Sequence, residues 1–339
     1  MKHKQIILFC LILIAALLQT GCSLPSDHSV LQQAQGFDQG IKNAEFQDPK
    51  INGYLQQIGS RIIAAAKLSH DAKWGPPIHF QGTEDQWMFG KIQFHLVNSK
   101  TINAFTTGGE HVYVYNELFQ MCKNEDELAA VMAHEFAHIY CRHVHRGERR
   151  QNGIMAGAVG MGALGLLVGG RDNGLAYAQE AASLGMYGGR FIGMGFTRDD
   201  EAEADTVGFH FYCLSGWDPN RFGDFFQSMI DRGFDKTPAM QSDHPTLASR
   251  VKIARERAAA MPELGKNPQL LRKPNIVPDR DFRSYLQHAQ YVAASTPNDK
   301  SIAKTALMLR AIPRSCLTPI NAQDQVDAQQ ELLRQAKSK

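Results

Sequence analysis

The segment from residue 124 to residue 145 constrains the fold more than any other part of the chain, because it carries the strongest helix signals. Asn124 can cap the first turn, and Glu127 stands three residues later, as in a capping box. Acidic residues gather at the start of the segment and basic residues at its end, as the helix dipole favours. We therefore predict a helix here, on which His134 and His138 lie one turn apart on the same face.

These two histidines and Glu135 between them form a pattern that suits a zinc ion. Imidazoles four residues apart on a helix can bind the same ion, and the carboxylate then lies near its open side. Zinc lowers the pKa of a bound water, and Glu135 can accept the proton and later pass it to a leaving amine. A His-Glu-x-x-His string occurs by chance in about one chain in a hundred of this length, so a third ligand is needed.

A second helix supplies a candidate for that third ligand. Residues 199–215 are predicted to be helical, with Thr197 as the cap and Gly216 as the stop. In one known arrangement of zinc sites the third ligand is a glutamate on a later helix, and Glu201 fills that position. Asp205 shares the face of Glu201, where it can accept a hydrogen bond from a zinc-bound histidine.

Other polar residues near the motif are predicted to stay outside the site. His143 follows His138 by five residues and should therefore point to a different face of the helix. The remaining acids of the second helix are interpreted as a solvated acidic start that the helix dipole favours: Asp199, Asp200 and Glu203.

Residues 1–21 form a predicted export signal. A short basic start precedes an apolar run from Ile6 to Leu18, which is short for a stable membrane span. The ending Leu18-Gln19-Thr20-Gly21-Cys22 resembles the bacterial lipobox, whose cysteine is acylated and becomes the first mature residue. We therefore predict a lipid on Cys22, and Ser23 after it resembles lipoproteins that are sorted to the outer membrane.

The charge of the mature chain gives no support for nucleic acid as a partner. The signal contains two of the 36 lysines and arginines and none of the 34 acidic residues, which leaves 34 basic against 34 acidic side chains. A formally neutral chain has no excess of positive charge to offer phosphate groups.

The remaining chain is predicted to comprise a tether over residues 22–48, a zinc-binding domain over 49–261 and a helical tail over 262–339. Strands are expected at residues 92–97 and 111–115, and the second alternates valine and tyrosine as a half-buried strand should. With helices around them, these strands predict an α+β fold that is mainly helical with a small sheet.

A glycine-rich insert is predicted at residues 147–195. Its central part, residues 153–170, contains no ionisable residue and is too rich in glycine to form a stable membrane-spanning helix. Two interpretations stay open: a helical hairpin and loop over the active site, or a segment that touches lipid.

Four cysteines remain once the signal is removed and Cys22 carries lipid: Cys122, Cys141, Cys213 and Cys316. Two disulfides and free buried thiols are both compatible with this number. A bond between Cys122 and Cys141 is excluded if the segment between them is helical, since they would lie roughly 25 Å apart.

Several motifs together resemble the zinc metallopeptidase (gluzincin) family of the CAAX prenyl endopeptidases, HtpX and the periplasmic beta-barrel assembly-enhancing protease. The resemblance covers roughly residues 50–255. The motifs are Ile102-Asn103-Ala104-Phe105 with Gly108-Gly109, Glu127-Leu128-Ala129-Ala130-Val131-Met132-Ala133-His134-Glu135-Phe136-Ala137-His138, Arg142-His143, Glu201-Ala202-Glu203-Ala204-Asp205, Gly216-Trp217-Asp218-Pro219, and His244-Pro245 with Arg250.

The resemblance implies a zincin-like domain and a role for each matching residue. It implies one zinc ion per chain, bound by His134, His138 and Glu201. Glu135 would be catalytic and Asp205 would assist it.

Other matching residues are implied to lie around that site. His244 matches a histidine that can approach the metal and restrain activity, although a helix-capping histidine is an equally good interpretation. Arg250 matches an arginine near the site. Asn103, Ala104 and Phe105 match a strand along the rim of the cleft, where an extended peptide could add as a further strand.

The expected function is that of a zinc metalloendopeptidase tethered by lipid on the periplasmic side of the bacterial envelope, with misfolded or misassembled envelope proteins as substrates. The outer-membrane assembly machinery is a further expected partner. Two alternatives stay open: a chaperone or assembly factor for outer-membrane proteins with a largely gated zinc site, and an integral membrane peptidase. The single short apolar segment argues against the latter.

Overall fold

The computed structural model describes residues 25–78, 86–150, 196–234, 246–261, 279–296, 300–312 and 322–337. The predicted signal and the lipid site at Cys22 lie outside these residues. So do His244 and residues 151–195 of the predicted insert.

The described residues form a mainly helical structure with one small sheet, which confirms the predicted α+β class. The strands are β1 (Gln93–Val97), β2 (Ala104–Thr106) and β3 (His111–Tyr115). The α-helices are α1 (Asp27–Ile41), α2 (Pro49–Asp71), α3 (Asn116–Met121), α4 (Glu125–Tyr140), α5 (Arg198–Leu214), α6 (Asp224–Asp231), α7 (Leu247–Ala260), α8 (Asp279–Ser295), α9 (Lys300–Ala311) and α10 (Ala322–Lys337). None of the described helices combines the length and apolar character needed to cross a membrane.

The sheet has the strand order β1-β3-β2, so β3 lies in the centre. β1 runs parallel to β3, whereas β2 runs antiparallel to it, with Ala104 opposite Val114. The outer side of β1 is partly covered, because Glu45 forms a bridge with Val97. Among the described strands β2 therefore forms the other edge of the sheet. This is the strand to which an extended peptide is expected to add.

Both faces of the sheet are covered, so the prediction that β3 is half-buried is wrong. Side chains on one face join the main core with α2, α4 and α5: Phe94, Leu96, Val112 and Val114. Those on the other face join a second core with α1, α9 and α10: Val97, Phe105, Tyr113 and Tyr115. The hydroxyl of Tyr115 donates to the Leu309 carbonyl oxygen of α9 at 2.8 Å, which satisfies a polar group that burial would otherwise leave without a partner.

Helix α4 begins as predicted and ends earlier than predicted. The side chain of Asn124 accepts a hydrogen bond from the Glu127 amide at 3.0 Å, which confirms the cap. The helix stops at Tyr140, and Arg142 adopts a φ of 53°. Arg142 donates twice to Asp27 of α1, from Nη2 to Oδ2 at 2.9 Å and from Nε to Oδ1 at 3.2 Å. This tertiary ion pair accompanies the turn, after which a helical stretch runs from residue 143 to residue 150.

The three cysteines in the described part of the chain are free and buried: Cys122, Cys141 and Cys213. Burial raises the pKa of each thiol. These thiols therefore stay protonated and pack as small apolar side chains.

Candidate metal centre

His134 and His138 on α4 and Glu201 on α5 bring three metal-binding groups together. The two Nε2 atoms lie 2.9 Å apart. Glu201 places one carboxylate oxygen 3.3 Å from His134 Nε2 and the other 3.6 Å from His138 Nε2. Donors bound at about 2.0–2.1 Å in a tetrahedron lie about 3.3 Å from one another. The donor types and their spacing therefore fit a zinc ion.

The carboxyl group of Glu201 lies in surroundings that favour a nearby cation. Its side chain is fully buried, as are those of the two histidines. Burial raises the pKa of Glu201 to about 7, although His134 and Arg250 act to lower it. A cation at this position would stabilise the ionised form.

The close approach of α5 to α4 depends on small residues. A Cβ atom added to Gly208 would lie 3.0 Å from the Cα atom of His134 and 3.1 Å from the Ala133 carbonyl. Ala204 is fully buried one turn earlier. The predicted cap of α5 is confirmed, since the Thr197 hydroxyl accepts a hydrogen bond from the backbone at 3.2 Å.

Asp205 and Arg250 both lie beside His134. Asp205 Oδ1 is 2.9 Å from His134 Nδ1. Arg250 on α7 donates to the same carboxylate twice, from Nη2 at 2.6 Å and from Nε at 2.8 Å. Burial raises the pKa of Asp205, but Arg250 and His134 outweigh it and hold the pKa well below its usual range. The aspartate is therefore ionised and positioned to accept the Nδ1 proton of His134.

His143 also reaches the site, so the prediction that it points away is wrong. Its Nδ1 atom lies 2.6 Å from Nδ1 of His138, and its Nε2 atom lies 3.1 Å from Glu203 Oε2. The turn at Arg142 ends the helical register and brings His143 back towards α4. Its only signal in the sequence was its place in the Arg142-His143 motif of the resemblance.

Two acids of α5 are buried in ion pairs, so the prediction that they are solvated is wrong. Glu203 contacts Arg146 as well as His143. Asp200 completes the capping box of α5 and pairs with Arg146 at 2.9 Å and Arg150 at 2.8 Å. Only Asp199 is exposed, as predicted for all three. The basic partners come from the helical stretch after residue 143, which the sequence did not place against α5.

Glu135 and the rim segment lie in the same region. Glu135 is fully buried on the turn of α4 between the two histidines. The edge strand β2, which contains Ala104 and Phe105, packs beside α4. Asn103 precedes it and is fully buried, and its side-chain amide has no hydrogen-bond partner within the described residues.

Comparison with known proteins identifies the family. The model of Peptidase family M48 matches residues 49–258. The beta-barrel assembly-enhancing protease of Yersinia pestis is 32% identical over 221 residues, which cover 63% of this chain and 40% of the relative. The protein of the same name from Escherichia coli K12 is 30% identical over 253 residues, 71% of this chain and 47% of the relative.

A further relative is more distant. Metalloprotease LoiP of Escherichia coli K12 is 27% identical over 169 residues, which cover 50% of this chain and 64% of that protein. The chain spans less than half the length of the two beta-barrel assembly-enhancing proteases.

The family match covers most of the chain and includes every described residue of the metal centre. The chain therefore belongs to Peptidase family M48.

Proposed function

We propose that this chain is a zinc metalloendopeptidase with a catalytic zinc ion held by His134, His138 and Glu201. The convergence of these three buried donors carries the proposal, because they lie on two helices and their spacing suits a single ion. When bound there, zinc lowers the pKa of a bound water and polarises the carbonyl of the peptide bond.

The side chains around the donors would move the proton and hold the ligands. Glu135 accepts a proton from the attacking water and passes it to the leaving nitrogen. Asp205 accepts the Nδ1 proton of His134, which directs the Nε2 lone pair towards the metal position. Arg250 keeps Asp205 ionised for this task.

His143 would orient His138 in the same way, and this assignment can be tested. Replacing His143 with alanine is expected to lower zinc affinity about 10- to 100-fold, since His138 loses its Nδ1 partner. Competition with a chelator measures the affinity. His288, which pairs with Asp48 on another surface at 3.0 Å, gives the control variant His288→Ala. Equal affinities in the two variants would contradict the role of His143.

The substrate is proposed to be an unfolded or misassembled envelope protein. An extended segment could pair with the edge strand β2, next to which the buried side-chain amide of Asn103 has no hydrogen-bond partner within the described residues. Such recognition through the backbone suits unfolded chains. The names of the Yersinia and Escherichia relatives support a role in the assembly of β-barrel proteins, with the assembly machinery as a partner.

We further propose that a lipid on Cys22 holds the chain on the periplasmic face of the outer membrane. The lipobox-like ending of the apolar segment supports this location, together with the β-barrel assembly that the relatives are named for. For His244 we propose a role in restraining access to the metal. This role rests on the resemblance of the His244-Pro245 motif to that of the zinc metallopeptidase family.

A chaperone or assembly factor with a gated zinc site is the second candidate. The observation that favours it is the complete burial of His134, Glu135, His138 and Glu201. A site that opens rarely would serve binding more than cleavage.

Cleavage of a urea-unfolded outer-membrane β-barrel protein tests the proposed function. The zinc-loaded chain is expected to produce fragments, a chelator should stop the reaction, and added zinc should restore it. Fragments would be followed by gel electrophoresis and mass spectrometry. Binding of the unfolded protein without any cleavage at full zinc loading would favour the chaperone.

A further inference from the structure

A second group of side chains that can bind a metal lies at the sheet, on elements other than those of the metal centre. We call it the sheet group. Asp38 comes from α1, His95 from β1 and His111 from the first position of β3. His95 Nε2 lies 2.9 Å from His111 Nδ1, and His111 Nδ1 lies 3.4 Å from Asp38 Oδ1. One donor atom from each residue lies within 4.8 Å of the other two.

Two of the three donor distances in this group match those of the metal centre. In both places two imidazole nitrogens lie 2.9 Å apart. The carboxylate oxygen is 3.4 Å from the nearer nitrogen in the sheet group and 3.3 Å from it in the catalytic centre. Both consist of two histidines and one carboxylate, a donor set that suits zinc and related transition metals better than calcium or magnesium.

Glu45 contacts the Nδ1 atom of His95 in the way that Asp205 contacts the Nδ1 atom of His134. Its Oε2 atom lies 3.1 Å from His95 Nδ1, on the side of the ring opposite to His111. By accepting the Nδ1 proton, Glu45 leaves the Nε2 lone pair free for a metal. Only 7% of the Glu45 side chain is exposed, and its Oε1 atom has no hydrogen-bond partner within the described residues.

The third donor is also held in place. The hydroxyl of Tyr113 donates to Asp38 Oδ1 at 2.9 Å, which fixes the carboxylate against the sheet. The exposed fractions of the side chains are 14% for Asp38, 14% for His95 and 12% for His111. The group is therefore largely buried but reachable, as expected for a site with three protein ligands and a water.

We propose that Asp38, His95 and His111 bind a second divalent transition-metal ion, of which zinc is the representative, and that Glu45 positions His95. The ion would link α1 to β1 and β3. The link extends to the edge strand, because the Thr106 hydroxyl of β2 donates to the His111 carbonyl at 2.9 Å. This proposal does not depend on peptidase activity.

Metal content of the full-length chain provides the test. After saturation with zinc and removal of the excess, we expect about two zinc ions per chain by mass spectrometry. The double variant His95→Gln/His111→Gln should retain about one, and so should His134→Gln/His138→Gln, which removes the catalytic ligands. His288→Gln, a control at another histidine–carboxylate pair, should keep about two.

Melting temperature gives a readout that is independent of the count. In the His134→Gln/His138→Gln background, added zinc should raise the melting temperature, and Asp38→Asn in that background should remove most of this rise. Asp38→Asn also serves if the sheet double variant does not fold, because it keeps both histidines. A native chain with about one zinc ion, or a sheet variant that retains about two, would overturn the proposal and leave a hydrogen-bonded histidine pair.

Discussion

Replacing Glu135 with glutamine is expected to reduce kcat/KM for peptide cleavage by about 100- to 10,000-fold, the usual contribution of a general base. Glutamine has the same shape but cannot accept the proton of the attacking water. Zinc content should stay unchanged, since the proposed ligands are His134, His138 and Glu201. The loss should therefore appear in kcat rather than in metal binding.

Two further measurements show whether this loss is specific to Glu135 and whether the function in the cell depends on cleavage. The variant Glu110→Gln makes the same change at a surface residue that pairs weakly with Lys91, at 3.9 Å, and it should cleave like the native chain. Growth of cells that depend on the protein separates the two functions. If Glu135→Gln retains full function in the cell, the chaperone is the main role.

Replacing Arg250 with alanine is expected to lower the free energy of unfolding by about 3–5 kcal/mol, because the buried Asp205 carboxylate loses its partner. Arg250 is 3% exposed and Asp205 is 7% exposed, so water can compensate little. The guanidinium also lies over the Phe226 ring, 3.9 Å from its centre, and this contact would be lost too. Urea denaturation measures the change.

The pH dependence of this loss identifies its cause. The pKa of Asp205 is lower in the folded chain than in the unfolded chain, where it is about 3.9, so its ion pair stabilises the fold above that pH. The contribution disappears as the pH falls through the folded pKa. The difference in stability between the native chain and Arg250→Ala should therefore shrink in acid.

A matched control lies on the same helix. Arg255 is exposed on α7 and donates to Gln227 at 3.3 Å. Arg255→Ala should change the free energy of unfolding by no more than about 0.5 kcal/mol. If Arg250→Ala cost no more than this control, the buried ion pair would not contribute to stability.

The local parts of the metal centre were predictable from the sequence. The caps at Asn124 and Thr197 and the four-residue spacing of His134 and His138 depend on contacts within one or two helical turns, which sequence spacing determines. The structure places Glu201 beside these histidines, as the resemblance implied. The close approach of the two helices depends on Gly208, which has no Cβ atom to hold them apart.

The positions of His143 and of the sheet group depend on contacts between distant parts of the chain. The turn that directs His143 to His138 is stabilised by Asp27, which is 115 residues away from Arg142 in sequence. Asp38, His95 and His111 come from three separate elements, and strand pairing brings the two histidines together. Such contacts depend on how elements pack, which periodicity and spacing within a segment do not specify. Sequence spacing was therefore enough to predict the helices and the ligand types, whereas packing determined which polar side chains contact those ligands.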